Sequence, residues 1–354
     1  MYLGFDFYGS PDNSNIGDDL MLLGFIQALK ILKKHNIKLF ASCPKFAVYQ
    51  KIRFPEVLWK YKTTHNFRGE PINSQISLLS GYWVGVGDTP FQLSCGDWFL
   101  KFFQSNLDKI NSFPMKVMVA VGAESEVKPR HKDFSIIAKI FDKISVRDAH
   151  SASIIRSLGV EENKIFTGAD LANISLSNIC RKNKNRPFKL GIVLASDTLS
   201  YADLKAVASF MWRIRYPSAF IPTDVKEDSV IYLNLLFQFP WARIDTKIRL
   251  LMPPYFNGKF YQLLKPYSLC ETVISARYHG LLTAAWSGCK VAAIARTSKV
   301  CALARVLNVP YCDLPLTYEK ISFLKKKASR VSRDILVGLK KKALEGVSFA
   351  LDIS

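Results

Sequence analysis

The chain has 354 residues, of which 49% are hydrophobic, 12% aromatic and 22% charged. These are globular proportions, which exclude wholesale disorder, and at ~150 residues per domain the length predicts two domains. Lys and Arg number 49 against 29 Asp and Glu, so the formal charge is +20 and anionic partners are favoured: phosphate-bearing small molecules, nucleic acid or an acidic membrane surface.

Seven cysteines (Cys43, Cys95, Cys180, Cys270, Cys289, Cys301 and Cys312) form no Cys-x-x-Cys pair, and no His stands beside them at zinc-finger spacing. That usage predicts reduced thiols in an intracellular protein. The N-terminus has no basic region before its apolar run and carries an early Asp6, unlike a secretory signal. No apolar run approaches the ~18 uncharged residues of a membrane span.

Residues 2–8 alternate Leu3, Phe5 and Phe7 on one face, which predicts a strand. Residues 16–33 place Leu22, Phe25, Ile26 and Leu29 at helical spacing, and 37–41 read as a second strand. Residues 77–86 predict a buried strand running into Gly85-Val86-Gly87. Two short β-branched runs follow, 116–121 ending at Gly122 and 143–146 leading into a helix over 148–158. A strand at 164–167 closes the first half. Residues 177–187 are polar, basic and aperiodic, as a linker is. Beyond them strands are predicted at 189–195, 219–222, 272–275 and 291–295, with helices over 201–215 and from 281. The tail from 321 reads as helical and basic. The expected division is 1–176, a linker 177–187, 188–320 and a basic helix 321–354. Strands alternating with helices predict an α/β class with parallel sheets, and two such halves imply a cleft between them.

Three stretches carry chemistry. Residues 274–280, ISARYHG, lie where a buried strand meets a helix, the edge at which open α/β sheets collect ligands. There Arg277 offers a planar fork for carboxylate or phosphate and His279 a proton. The structural alternative pairs Arg277 with an Asp and makes His279 a helix cap. In residues 144–148, ISVRD, Arg147 follows a strand and invites an anion, while Asp148 reads as an N-cap. Residues 9–20, GSPDNSNIGDDL, form a turn-rich loop in which Asn13, Ser14 and Asn15 are good caps. Asp18 and Asp19 either complement the helix dipole there or accept a proton from a sugar hydroxyl. Lys299 follows the strand at 291–295, either as a cation of the same cleft or as a solvated lysine. No His-Glu-x-x-His, Gly-x-Ser-x-Gly, Asp-x-Asp, Gly-x-Gly-x-x-Gly or Gly-Lys-Ser/Thr occurs, so no metal or dinucleotide site is predicted. The aromatics follow core periodicity and do not interleave with Arg and Lys, which argues against nucleic acid.

Taken together, these stretches resemble the polysaccharide pyruvyl transferase family. The similarity runs through Asn15-Ile16-Gly17-Asp18-Asp19, Gly85-Val86-Gly87-Asp88, Ser145-Val146-Arg147-Asp148 with Leu158-Gly159, and Arg277-Tyr278-His279 with Ala284, Gly288 and Lys299, in that order. The chain departs from the family pattern where Gly122-Ala123-Glu124-Ser125-Glu126 replaces a glycine-rich turn and where Gly288-Cys289-Lys290 replaces Gly-x-Pro. The resemblance implies two Rossmann-like domains facing a cleft, similar to B-type glycosyltransferases. It implies transfer of a pyruvyl group from phosphoenolpyruvate to a saccharide, free or lipid-linked, to give a ketal, with no cofactor. Under it Arg147, Arg277 and Lys299 would bind the donor, Asn15 and Gly17 would line the substrate site, His279 would be the general acid and Asp18 or Asp19 the base. It also implies a cytoplasmic enzyme, with the inner face of the membrane as a place of peripheral association. Two other readings stand beside it. One is a B-type glycosyltransferase using a nucleotide sugar. The other is a non-catalytic scaffold held on anionic lipid by Lys325-Lys326-Lys327 and Lys340-Lys341-Lys342, which flank Leu324, Val331, Leu336 and Leu339.

Overall fold

The computed structural model describes residues 1–4, 15–32, 37–44, 52–62, 81–93, 97–124, 127, 130–196, 199–254 and 259–352. Phe5, Phe7, the caps Asn13 and Ser14, the stretch 77–80, Cys95, Ser125 and Glu126 lie outside the described residues. The chain forms two compact units. Unit one comprises Met1–Asp12, Asp18–Ser175 and Gly338–Ser354, and unit two comprises Asn13–Gly17 and Leu176–Val337.

Unit one is built on a seven-stranded sheet of β1 (Tyr2–Gly4), β2 (Leu39–Pro44), β3 (Val57–Lys62), β4 (Tyr82–Val86), β5 (Met115–Val121), β6 (Lys143–Val146) and β7 (Ile165–Thr167). Its order is β3-β2-β1-β4-β5-β6-β7, with every pairing parallel. The order reverses between β1 and β4, the switch point of a Rossmann fold. The central strands are covered on both faces, so β5 reads as the unbroken apolar run Val117-Met118-Val119-Ala120-Val121, all buried. Trp83 of β4 lies in the core with Phe103 and Phe141 at ring-centroid distances of 6.1 and 5.6 Å.

Unit two has β8 (Phe188–Val193), β9 (Ser218–Phe220), β10 (Ile248–Leu250), β11 (Cys270–Ser275), β12 (Lys290–Ile294) and β13 (Tyr311–Cys312), in the order β10-β9-β8-β11-β12-β13. All six run parallel, and the order reverses between β8 and β11. Leu190, Ile192, Ile274, Ala292 and Ile294 from the strands pack with Phe210 and Leu235 from the helices.

The basic tail is not one helix. Helix Tyr318–Lys327 buries Ile321 and Leu324, and the chain then extends into β14 (Ser329–Arg330), which pairs antiparallel with β12. A second helix, Arg333–Ala350, follows, and its residues from Gly338 belong to unit one. There Phe349 stacks on Phe166 at 5.4 Å, and Lys143 pairs with Asp352. A Cβ on Gly346 would stand 2.4 Å from Ser145 Oγ, so the helix approaches β6 as closely as a glycine permits.

Gly24 shows which of two opposing effects wins. It lies inside helix Ile16–Ile31, where alanine would gain about 1 kcal/mol of helix propensity. A Cβ there would stand 2.0 Å from the backbone oxygen of Leu171, which cannot rotate aside. Overpacking of this kind costs roughly 1–3 kcal/mol and more when backbone must move. Gly24→Ala is expected to lower the urea midpoint, and an unchanged or higher midpoint contradicts that packing.

Candidate functional site

In unit two, β11 ends at Ser275 and the chain enters helix Tyr278–Trp286 through Ala276 and Arg277. Ser275 Oγ donates to Arg277 O at 2.8 Å and accepts from Arg277 N at 3.2 Å, a local turn that fixes the exit from the strand. Gly280 lets the new helix sit on the sheet, because a Cβ there would stand 2.7 Å from Ser275 Oγ and 2.9 Å from Val193 Cγ1.

The Arg277 fork is aimed by a buried acid. Its Nε and Nη2 donate to Asp228 Oδ1 at 3.1 and 2.5 Å, and Nη2 lies 3.4 Å from Glu227 Oε2. Asp228 is fully buried, and its Oδ2 accepts from the backbone N–H groups of Thr223 and Asp224 at 3.0 and 2.9 Å. Burial pushes the Asp228 carboxyl above the usual carboxylate range, and the Arg277 charge opposes that rise. The structural alternative for Arg277 is therefore present: it pairs with an Asp. The pair is neutral, so Arg277 attracts an anion less than a lone cation would.

The loop Asn15–Gly17 meets this edge. Asn15 bridges antiparallel to Asp224, and Ile16 N donates to Thr223 O at 3.2 Å. Asn15 Oδ1 accepts from Gly17 N at 2.9 Å, which caps the start of helix Ile16–Ile31. A Cβ on Gly17 would lie 2.0 Å from His279 Nδ1. The imidazole thus occupies the space that any side chain at position 17 would take. Two motifs from opposite ends of the sequence, Asn15-Ile16-Gly17 and Arg277-Tyr278-His279, are brought into contact.

Lys299 is half-buried in the first turn of helix Ser298–Val306, which follows β12. Arg296, three residues earlier, belongs to none of the sequence motifs; its Nε donates to Ala276 O at 2.9 Å and ties the end of β12 to the end of β11. The signal was available: Arg296 closely follows a strand end, as Arg147 does.

In unit one, Arg147 follows β6 with its side chain only 4% exposed. Its Nη2 donates to Thr89 Oγ1 at 3.0 Å, and its Nε lies 3.6 Å from Asp148 Oδ2. The guanidinium lies over Gly122, where a Cβ would stand 2.5 Å from Nη2. Asp148 caps helix Ala149–Ser157 by accepting from Ser151 N at 2.7 Å, as the sequence predicts. Glu124, one of the acids that depart from the family pattern, is buried.

Asp18 and Asp19 both fall in the first turn of helix Ile16–Ile31. They separate by burial. Asp19 is 1% exposed and forms an interior ion pair with Arg53, another residue that no motif announces. Asp18 is half-buried.

The described cysteines carry no disulfide. Cys180, Cys270, Cys289, Cys301 and Cys312 are free thiols, and burial pushes Cys180 up to about 12 and Cys312 to about 11. Among the described residues no group of three or more His, Cys, Asp or Glu is placed to hold a metal ion.

The model of one protein family, polysaccharide pyruvyl transferase, matches residues 15–298. This chain belongs to the polysaccharide pyruvyl transferase family. The match runs from Asn15 to Ser298 and takes in the residues that carry the resemblance except Lys299, which lies one position beyond it. No curated protein matches the sequence significantly. Among solved structures, this family member is similar to the UDP-GlcNAc 2-epimerase of Methanocaldococcus jannaschii, with 13% identity, 99% of this chain and 98% of that chain covered, and a TM-score of 0.64. It is also similar to Anabaena Alr3699/HepE in complex with UDP and glucose, at 9% identity, 99% and 95% coverage and a TM-score of 0.58. The UDP-GlcNAc 2-epimerase of Neisseria meningitidis bound to UDP-GlcNAc follows at 10% identity, 98% coverage of both chains and a TM-score of 0.54. At these identities the likeness speaks to the fold: two Rossmann-like units in one chain, as in B-type glycosyltransferases.

The Arg277–Asp228 pair sets a pH-dependent expectation. Arg277→Ala removes the charge that holds the Asp228 carboxyl down, so its folded pKa rises further. A raised carboxylate pKa contributes stability that is fully present below the unfolded value of about 3.9 and is lost as pH rises through the folded value. Arg277→Ala should therefore lie nearest the wild type in acid, and its deficit should grow towards neutral pH, to roughly 3–5 kcal/mol for an orphaned buried charge. Denaturant midpoints at acid and neutral pH test this, and a deficit that does not change with pH contradicts it.

Proposed function

We propose that the chain transfers a pyruvyl group from phosphoenolpyruvate to two hydroxyls of a saccharide, free or lipid-linked, forming a ketal and releasing phosphate. The observation that carries the reading is the closure of Asn15–Gly17 on His279 beyond the carboxyl ends of β8 and β11, the position where an open α/β sheet takes its ligand.

The chemistry needs a proton at carbon. His279 gives one to the methylene carbon of the donor, and the enol π electrons form the new C–H bond. C2 becomes electrophilic, and a sugar hydroxyl attacks it. The C–O bond to phosphate then breaks, its electron pair leaving with the phosphate, and a second hydroxyl closes the ketal. The two hydroxyls release two protons, of which one returns to His279 and the other leaves with the phosphate. Asp18 takes the hydroxyl proton that leaves with the phosphate and hands it on, while Asp19 is buried and held by Arg53. Lys299 supplies a cation for the donor, and Arg277, anchored by Asp228, supplies an oriented hydrogen-bond donor. Arg147 is the anion-binding group of unit one. Asn15 positions Gly17, and Gly17 leaves the room that the imidazole fills.

A second reading has one finding in its favour: solved structures similar to this chain include proteins described with UDP or a UDP-sugar bound. Melting temperature separates the two. A ligand that binds only the folded state stabilises by about 2.7 kcal/mol at a hundred times its Kd. Phosphoenolpyruvate is expected to raise the melting temperature while UDP leaves it unchanged, and the reverse pattern overturns the pyruvyl reading. Among the described residues no helix is long and apolar enough to cross a membrane.

His279→Gln should lose about 10²–10⁴-fold in turnover while the donor Kd holds, because the proton moves only in the transition state. Lys299→Ala should instead weaken the donor Kd by about ten- to a hundred-fold, the worth of one charge-assisted bond. Kinetics and donor titrations on the two variants, side by side, check both. A Kd that collapses in His279→Gln while turnover at saturation survives makes His279 a binding group.

A further inference from the structure

Unit two has a second charged edge, where β8, β9 and β10 begin at Phe188, Ser218 and Ile248. It lies at the opposite ends of the strands from the edge that carries Ser275 and His279. An open cavity of about 1040 Å³ runs along it. Its cations are Arg213, Arg215, Arg243, Lys247 and Arg249, against a single acid, Asp245. Among the described residues none of these five cations is in an ion pair. Lys247 lies over the ring of Trp212 at 4.6 Å, and Arg213 over Tyr318 at 4.3 Å.

An uncovered apolar stripe adjoins these charges. Helix Val225–Gln238 buries Ile231, Tyr232 and Leu235 against the core but leaves Val230, Leu233 and Phe237 exposed at 49%, 47% and 80%. Spaced by three and four residues, the exposed three form one line on the helix surface. The helix leads through Trp241 to Arg243 and Lys247, so the line runs towards the cationic edge. Trp241 and Trp212 are each 45% exposed.

An apolar line of this length marks an interaction surface. The charges say what covers it. A second copy of the chain in a symmetric pair would set the same cations against each other, which repels. Nucleic acid would use the cations but leave Leu233 and Phe237 in water. An anionic bilayer satisfies both, because aromatic and aliphatic side chains enter the headgroup boundary while Arg and Lys meet lipid phosphates. We propose that this edge of unit two is a docking surface for an anionic bilayer, with Phe237 and Trp241 entering the interface and Arg215, Arg243 and Lys247 binding lipid phosphates. Of the tail residues, Leu324 and Leu336 are buried in the protein, and Lys325 lies over the ring of Tyr216, which lines this same cavity. The inference does not depend on the identity of the donor.

The test is sedimentation of the full chain with vesicles of phosphatidylcholine alone or mixed with phosphatidylserine, without any donor present. The wild type should bind only the mixed vesicles, and less at high salt. Arg215→Gln with Lys247→Gln should weaken partitioning roughly five-fold for each charge removed. Phe237→Ser with Trp241→Ser should weaken it by roughly tenfold or more. Thermal melts establish that each variant is folded, and Arg215→Gln alone, at a residue outside every ion pair, serves if a double variant is not. Replacing Lys340, Lys341 and Lys342 with Ala should leave binding in place. The proposal is overturned if the wild type does not bind the mixed vesicles, if folded variants at the edge bind as the wild type does, or if only the loss of the tail lysines releases the protein.

Discussion

The candidate site depends on a contact that a missing side chain allows. Gly17 and His279 stand so close that even a methyl group at position 17 would occupy the imidazole. Around that contact the local geometry is determined by hydrogen bonds at strand ends. Asn15 caps its own helix, Ile16 is held by the backbone of Thr223, and Ser275 turns the chain from β11 into the helix that carries His279. The imidazole is thus seated directly against the backbone at Gly17, where no side chain can come between them.

Charge is arranged by the same logic. The chain carries +20 overall, yet the cations nearest the candidate chemistry are not simply exposed. Arg277 is held by the buried Asp228, Arg53 pairs with Asp19, and Arg147 lies over Gly122 with Thr89 at its end. Breaking one partner of a buried pair is costly, so these contacts fix where a guanidinium points. Five cations outside ion pairs among the described residues line the opposite edge of unit two, beside exposed apolar side chains. The basic composition is therefore spread between guanidiniums fixed by partners at the carboxyl edges of the sheets and cations lining the opposite edge of unit two.

Much of this was legible in the sequence where strands are buried on both faces. The runs that form β5, β6, β11 and β12 are short, β-branched and followed within two residues by Gly or Arg, and their composition predicts strands. The order of the four family motifs carried the family, and the capping of Asp148 followed from residue type alone. What escaped has physical causes. β3, Val57–Lys62, is short and broken by lysines. Helix Val225–Gln238 carries apolar residues on both its buried and its exposed faces, which blurs the amphipathic period. Helix Phe260–Ser268 contains Pro266, which reads as a breaker. Asp228 escaped with its helix: it is far from Arg277 in sequence and belongs to no motif, so only the fold reveals their pairing. The tail read as one helix because its composition is uniform, whereas the pairing of β14 with β12 interrupts it.

The central claim is that the edge around His279 processes phosphoenolpyruvate. Its most direct test is to supply phosphoenolpyruvate isotopically labelled at C2 with a panel of free and lipid-linked saccharides, and to follow the labelled carbon by NMR together with phosphate release. The account predicts that the label moves from an enol carbon to a ketal carbon bonded to two sugar oxygens, in step with phosphate. A label that stays in phosphoenolpyruvate with every acceptor, while a UDP-sugar offered to the same protein is consumed, would contradict it.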